Sequence, residues 1–157
     1  MNKRDIDKSY NVPDEEPRII CLCGSSKFKE EMMDFAREKT LAGLIVVMPL
    51  VFPHSGDSIS NQQKERLDGL HLWKIKKSAY ICAICRDFYI GRSTIREMKF
   101  AYDYGKVIQV INNGGFQFSF YKCGAMQFSK MILRFCKQSQ EIYKEMIADG
   151  TLKGESL

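Results

Sequence analysis

A layered α/β fold, with a four- to five-stranded, mainly parallel sheet and a C-terminal helix, is the class this sequence predicts. Two observations carry it. Apolar runs of strand length alternate four times with helical stripes between residues 18 and 111, and such alternation with short connections builds a parallel sheet covered on both faces. The runs are also apolar throughout rather than at every second residue, as in strands buried on both sides. The chain has 157 residues, 45% hydrophobic and 27% charged, which is the length and composition of one globular domain. Residues 1–17, with Pro13, Pro17 and many charges, predict a flexible tail; residues 18–157 predict a single domain.

The elements follow in order. Arg18 to Cys23 is the first strand, ended by Gly24-Ser25-Ser26. Phe28, Met32, Phe35 and Ala36 then recur at helical spacing, with Ser26 as the N-cap and Gly43 as the stop. Leu44 to Met48 is the second strand, halted by Pro49. A polar loop runs to Ser60, which with Gln63 forms a capping box for the second helix. That helix carries a stripe of Leu67, Leu70, Ile75 and Ala79. Tyr80 to Cys85 is the third strand, Thr94 to Tyr104 the third helix and Val107 to Ile111 the fourth strand. The alternation in Phe116 to Tyr121 predicts an edge strand, and residues 129–148 predict one final amphipathic helix.

Charge and cysteine usage narrow the function. The net charge of +5 divides into −2 on the tail and +7 on the remainder, with acidic and basic residues interleaved. A nucleic-acid partner needs a continuous basic stripe, so none is expected. The longest apolar run, Leu44 to Phe52, is interrupted by Pro49 and far from the ~18 residues of a membrane span, so no membrane partner is expected either. No secretory segment follows the N-terminus; a cytoplasmic location is expected, with reduced thiols. Cys21 and Cys23, two apart in a strand, share one face, whereas Cys82 and Cys85 face opposite sides. The sequence reads as small buried cysteines and no metal site.

In an open parallel sheet, ligands bind beyond the carboxyl ends of the strands. Three loops lie there: Gly24-Ser25-Ser26, Pro49 to Ser60, and Arg86 to Thr94. The first offers free amides at a helix start, but neither a phosphate-loop nor a dinucleotide fingerprint occurs. The second contains His54 and Asp57 as hydrogen-bond partners for a ligand under a glycine-hinged loop. The third leads to Glu97, one turn into a helix, where a carboxylate is able to attack an electron-poor carbon. Thr94-x-x-Glu97 is equally a capping box, which would leave Glu97 satisfying a backbone donor. His71 and Asp68 share a face of the second helix and form a possible pair.

Three pieces taken together resemble the nucleoside 2-deoxyribosyltransferase-like family: Cys21-Leu22-Cys23-Gly24-Ser25, the Ile75 to Cys82 junction, and Gly91-x-Ser93-Thr94-x-x-Glu97-x-x-x-Ala101. The resemblance spans roughly residues 18–111. It implies a flavodoxin-like, Rossmann-like three-layer sandwich that cleaves or exchanges the N-glycosidic bond of (deoxy)nucleosides or their 5′-monophosphates. It further implies Glu97 as nucleophile, a small-molecule nucleoside or nucleotide as partner, no cofactor, and a homo-oligomer. Gly24, Ser25 and Ser26 would line the sugar and base pocket, with Gly91 and Ser93 before the glutamate. The chain departs from the family at two points. His71 stands where an aspartate assists proton transfer, and Gly91 stands where an acidic residue or serine is usual. Arg92, Arg96 and Lys99 flank the helix as candidates to steer a 5′-phosphate. The alternative is a non-catalytic nucleotide-binding or sensing module of the same fold, with Glu97 only a cap.

Overall fold

Parallel strands need a long crossover between them, and a helix that packs back on the sheet supplies it. The computed structural model describes residues 1–155 and follows this logic. Strands β1 (Ile19–Gly24), β2 (Ile45–Val47), β3 (Tyr80–Cys85) and β4 (Val107–Asn112) are parallel, and β5 (Gly115–Phe120) returns antiparallel to β4. Their spatial order is β2-β1-β3-β4-β5, the doubly wound order of flavodoxin-like sheets. The predicted three-layer α/β sandwich with a C-terminal helical segment is therefore the observed architecture. The β4–β5 hairpin turns on Asn113 and Gly114, both at positive φ (51° and 81°), as a two-residue turn matched to strand twist requires.

The helices are α1 (Lys3–Ser9), α2 (Lys29–Leu41), α3 (Asn61–Lys77), α4 (Arg92–Asp103), α5 (Phe128–Phe135) and α6 (Gln140–Ala148). They distribute unevenly. Ile20 and Leu22 of β1 pack with Met32 and Phe35 of α2 on one face of the sheet. On the other face, Cys21 and Cys23 of β1 share a larger core with Ile75, Ile95, Met98, Phe128 and Tyr143 from α3 to α6. Cys82 belongs to the first core and Cys85 to the second, as their odd spacing in a strand dictates.

Several elements differ from expectation for identifiable reasons. Within the tail, Lys3–Ser9 form a short helix capped by Asn2, with no buried residue. Ser25 rather than Ser26 caps the turn after β1, because a 3-10 turn (Ser26–Phe28) precedes α2. Helix α3 ends at Lys77, before Ala79, and its Leu70 is exposed; His71 and Ile75 are the residues it buries. The predicted 129–148 helix is two helices. They break where Ser139 turns inward, its Oγ donating to the Ile90 carbonyl at 2.8 Å and accepting from the Ile90 amide at 2.9 Å. The Ser60–Gln63 capping box forms in both directions.

Helix α4 begins two residues earlier than predicted, with Gly91 as its N-cap. Thr94 is therefore inside the helix and buried, and the Thr94–Glu97 capping box does not form. The start is held from outside the helix. The Asp87-Phe88 turn after β3 is bonded to Asn112 and Asn113 of the hairpin, with Phe88 N donating to Asn112 Oδ1 at 2.8 Å. Arg92 pairs with Asp149 and donates to Thr151 Oγ1. Among the described residues no helix is long and apolar enough to cross a membrane.

Two substitutions test this packing. Ser139→Ala leaves two buried backbone groups of Ile90 without partners, so urea denaturation should show a loss of about 1–3 kcal/mol. At Gly24 an added Cβ would meet the Ile84 carbonyl oxygen at 3.0 Å and Met32 Sδ at 3.3 Å. Gly24→Ala should accordingly cost about 1–3 kcal/mol by overpacking, and an unchanged midpoint would refute that close approach.

Candidate functional site

On β1, alternation sends Cys21 and Cys23 toward the thick helical layer, where both are fully buried. Above them runs α3, whose inward face carries His71 one turn before Ile75. Beside it lies α4, and helical geometry aims the Glu97 side chain back toward the helix start, over Ser93. The three elements converge on one cluster. His71 Nε2 lies 3.4 Å from Glu97 Oε2, 3.4 Å from Cys23 Sγ and 3.9 Å from Cys21 Sγ. The side chains of His71 and Glu97 are 7% and 13% exposed, so the pair is held in an apolar layer rather than on the surface. His71 Nδ1 has no hydrogen-bond partner among the described residues.

The electrostatics follow from burial and mutual charge. Burial pushes the Glu97 carboxyl up to about 7, and the neighbouring imidazolium only partly opposes it. For His71, burial favours the neutral ring, but the Cys21 hydrogen bond and the Glu97 charge outweigh it and raise the pKa. The two thiols split. A hydrogen bond from Cys23 and the His71 contact bring Cys21 down to about 6 against burial, while Cys23, giving that hydrogen bond from a buried position, is raised well above the usual thiol range. Four groups with shifted titration thus meet at one buried point, which makes it a functional-site candidate on physical grounds.

A groove of about 500 Å³ lies between the first turns of α3 and α4, one helical turn before His71 and Glu97, which are not among its lining residues. Asp68, Gly69, Ser93 and Arg96 line it, and Thr151 closes one wall. It lies on the carboxyl side of the sheet, since both helices start there. The usual crevice at the reversal of strand order, between the ends of β1 and β3, is bridged instead. Phe28 packs edge-to-face on Tyr89 with centroids 6.1 Å apart, and Arg86 lies over Phe28 while pairing with Glu31.

The remaining expected residues divide between these two regions. Asp68 reaches the groove but pairs with Lys64 at 2.8 Å rather than with His71. Ser93 is exposed on the groove, and Gly91 caps α4 beside Tyr89. Gly24 is occupied by the packing of Ile84 and Met32, and Ser25 accepts from the Lys27 amide. Ser26 accepts from the His54 amide at 3.2 Å and its carbonyl receives the Ser55 hydroxyl; this ties the two loops together. His54 is exposed, and Asp57 accepts from the Phe52 amide at 2.6 Å, bracing its own loop. Lys99 is buried and paired with Asp103 and Glu155; Arg92 and Arg96 both line the groove, Arg92 while held by Asp149 and Thr151. Cys21 and Cys23 enter the cluster unannounced. Their shared face was legible, but the arrival of His71 above it was not.

No model of a known protein family matches the chain, and a search of curated proteins finds no match.

The coupling of the buried pair is measurable. His71→Leu leaves the Glu97 carboxyl buried without its partner, and loss of one member of such a pair costs about 3–5 kcal/mol. In a double-mutant cycle by urea denaturation, His71→Leu with Glu97→Leu should be less destabilised than the sum of the single changes. Additive effects would mean that the two groups do not interact.

Proposed function

We propose that the protein cleaves or exchanges the N-glycosidic bond of (deoxy)nucleosides or nucleoside 5′-monophosphates, with Glu97 as the nucleophile. The observation that carries this reading is the release of Glu97 from the role of a cap. Its carboxylate leaves its own helix and meets His71 beside a groove on the carboxyl side of the sheet. That is the position the resemblance to nucleoside 2-deoxyribosyltransferase-like enzymes assigns to the nucleophile.

In this mechanism a Glu97 oxygen attacks C1′ of a sugar lying in the groove. The C1′–N bond breaks, and its electron pair leaves with the base. His71 gives the proton the base needs, directly or through one water. Water, or a second base, then attacks C1′ of the glycosyl ester, restores the carboxylate and returns a proton to His71. Charge at the oxocarbenium-like centre is met by a carboxylate already fixed in a dry layer, where electrostatic stabilisation is strongest. Arg96, exposed on the groove, is suited to a 5′-phosphate, and Asp68 to polar edges of a base. No cofactor is required by these steps.

The low exposure of Glu97 favours one second reading, a nucleotide-sensing module of the same fold in which the pair is purely structural. Incubation with deoxynucleosides and nucleoside 5′-monophosphates, with and without a second free base, separates the two. The expected result is base release or exchange by chromatography, falling to background in Glu97→Gln and by roughly 10²–10⁴-fold in His71→Gln. Thermal stabilisation by nucleotides with no turnover would establish the sensing module, and turnover unaffected by Glu97→Gln would remove the nucleophile.

A further inference from the structure

Glycosyl transfer uses the carboxylate and the imidazole but has no task for the two thiols packed against them. We propose that Cys21, Cys23 and His71 bind one zinc ion through Sγ, Sγ and Nε2, with the adjacent Glu97 carboxylate moving in as the fourth ligand. Three corners of a tetrahedron are already clustered, and the Glu97 carboxylate, in contact with His71 but outside the set of donors that are mutually within 4.8 Å, has to swing toward the thiols to complete it. Zinc bonds of ~2.3 Å to sulfur and ~2.0–2.1 Å to nitrogen or oxygen put tetrahedral neighbours ~3.6 Å apart for S and N, and ~3.3 Å apart for N and O. Here the sulfur–nitrogen separations are 3.4 and 3.9 Å and the nitrogen–oxygen separation is 3.4 Å. The Cys21, Cys23 and His71 donors all lie within 4.8 Å of one another.

The chemistry of the donors selects the ion. Two thiolates and an imidazole favour zinc over magnesium or calcium, which prefer all-oxygen shells. The ligands come from three elements, β1, α3 and α4, so the ion would cross-link the sheet to both helices above it. Cys21 and Cys23 are fully buried and His71 nearly so, which leaves Glu97 as the side on which the ion enters, or capture during folding as the route. The other buried thiols have no such company: Cys82 lies in the opposite core, and Cys85 and Cys136 bond to the Ile111 carbonyl and to Met131. This inference stands on the three clustered donors and the carboxylate beside them, and is independent of the glycosyl reading. Because the two share His71 and Glu97, bound zinc would hold the carboxylate away from a sugar and act as a brake on that reaction.

The test uses the full chain with Cys123→Ser, which removes the exposed thiol as an adventitious ligand. Elemental analysis of the purified protein should find zinc at one per chain. Cobalt added to chelator-stripped protein should produce a thiolate-to-cobalt charge-transfer band and tetrahedral d–d bands, both erased by zinc. Cys21→Ser with Cys23→Ser should lose the charge-transfer band, and Cys82→Ser should keep it. If the double variant does not fold, X-ray absorption at the zinc edge of the Cys123→Ser chain decides, with a shell of two sulfurs and two lighter atoms expected. Absence of cobalt bands, bands that survive the double substitution, or a shell without sulfur would overturn the site. Base release is assayed separately on stripped protein, so its failure leaves the metal result untouched, and Glu97→Gln should abolish turnover while retaining the charge-transfer band.

Discussion

A carboxylate and an imidazole 3.4 Å apart in an apolar layer tolerate each other only as partners, and much of this molecule serves to keep them so. Either group alone would carry the cost of a buried charge, several kcal/mol after relaxation. Together they lock α3 to α4 at one register, directly above the paired thiols of β1. The cluster lies where two helices and a strand of the larger core meet. Any chemistry drawn from it therefore depends on how rigidly α4 is seated.

That seating comes from the C-terminal segment. Ser139 is bonded twice to Ile90 just before α4, Arg92 in its first turn is held by Asp149 and Thr151, and Lys99 in its middle is held by Glu155. The residues after β5 thus act as a buttress for the helix that carries Glu97, and they account for the thickness of one helical layer against the single helix α2 on the other. Two of the three cations expected to meet a phosphate are consumed in this bracing. Arg96 faces the groove beside Arg92.

The closure of the usual crevice has the same effect on where a ligand can go. Phe28 and Tyr89, with Arg86 and Glu31, bridge the loops after β1 and β3; Ser26 and Asp57 are spent on holding loops in place. What remains open on the carboxyl side is the space between the starts of α3 and α4, bounded by Asp68, Ser93 and Arg96. The site is displaced sideways from the sheet onto a pair of helices.

The layered class, the four parallel strands, an edge strand after them and the capping box at Ser60 were legible in the sequence, because they depend on local periodicity and on neighbours within a few residues; that the edge runs antiparallel was not. The shared face of Cys21 and Cys23 was legible for the same reason. Local reading failed where a distant residue decides the outcome. The start of α4 at Arg92 depends on Asp149 and Thr151, and the break at Ser139 depends on Ile90, some fifty residues away. The role of Glu97 shows the difference most plainly: its spacing from Thr94 permits a cap or a free carboxylate equally, and only the approach of His71 from another helix decides between them. Periodicity sets which face a side chain takes; what meets it there is a property of the folded chain, since contacts between elements carry no signal in the order of neighbouring residues.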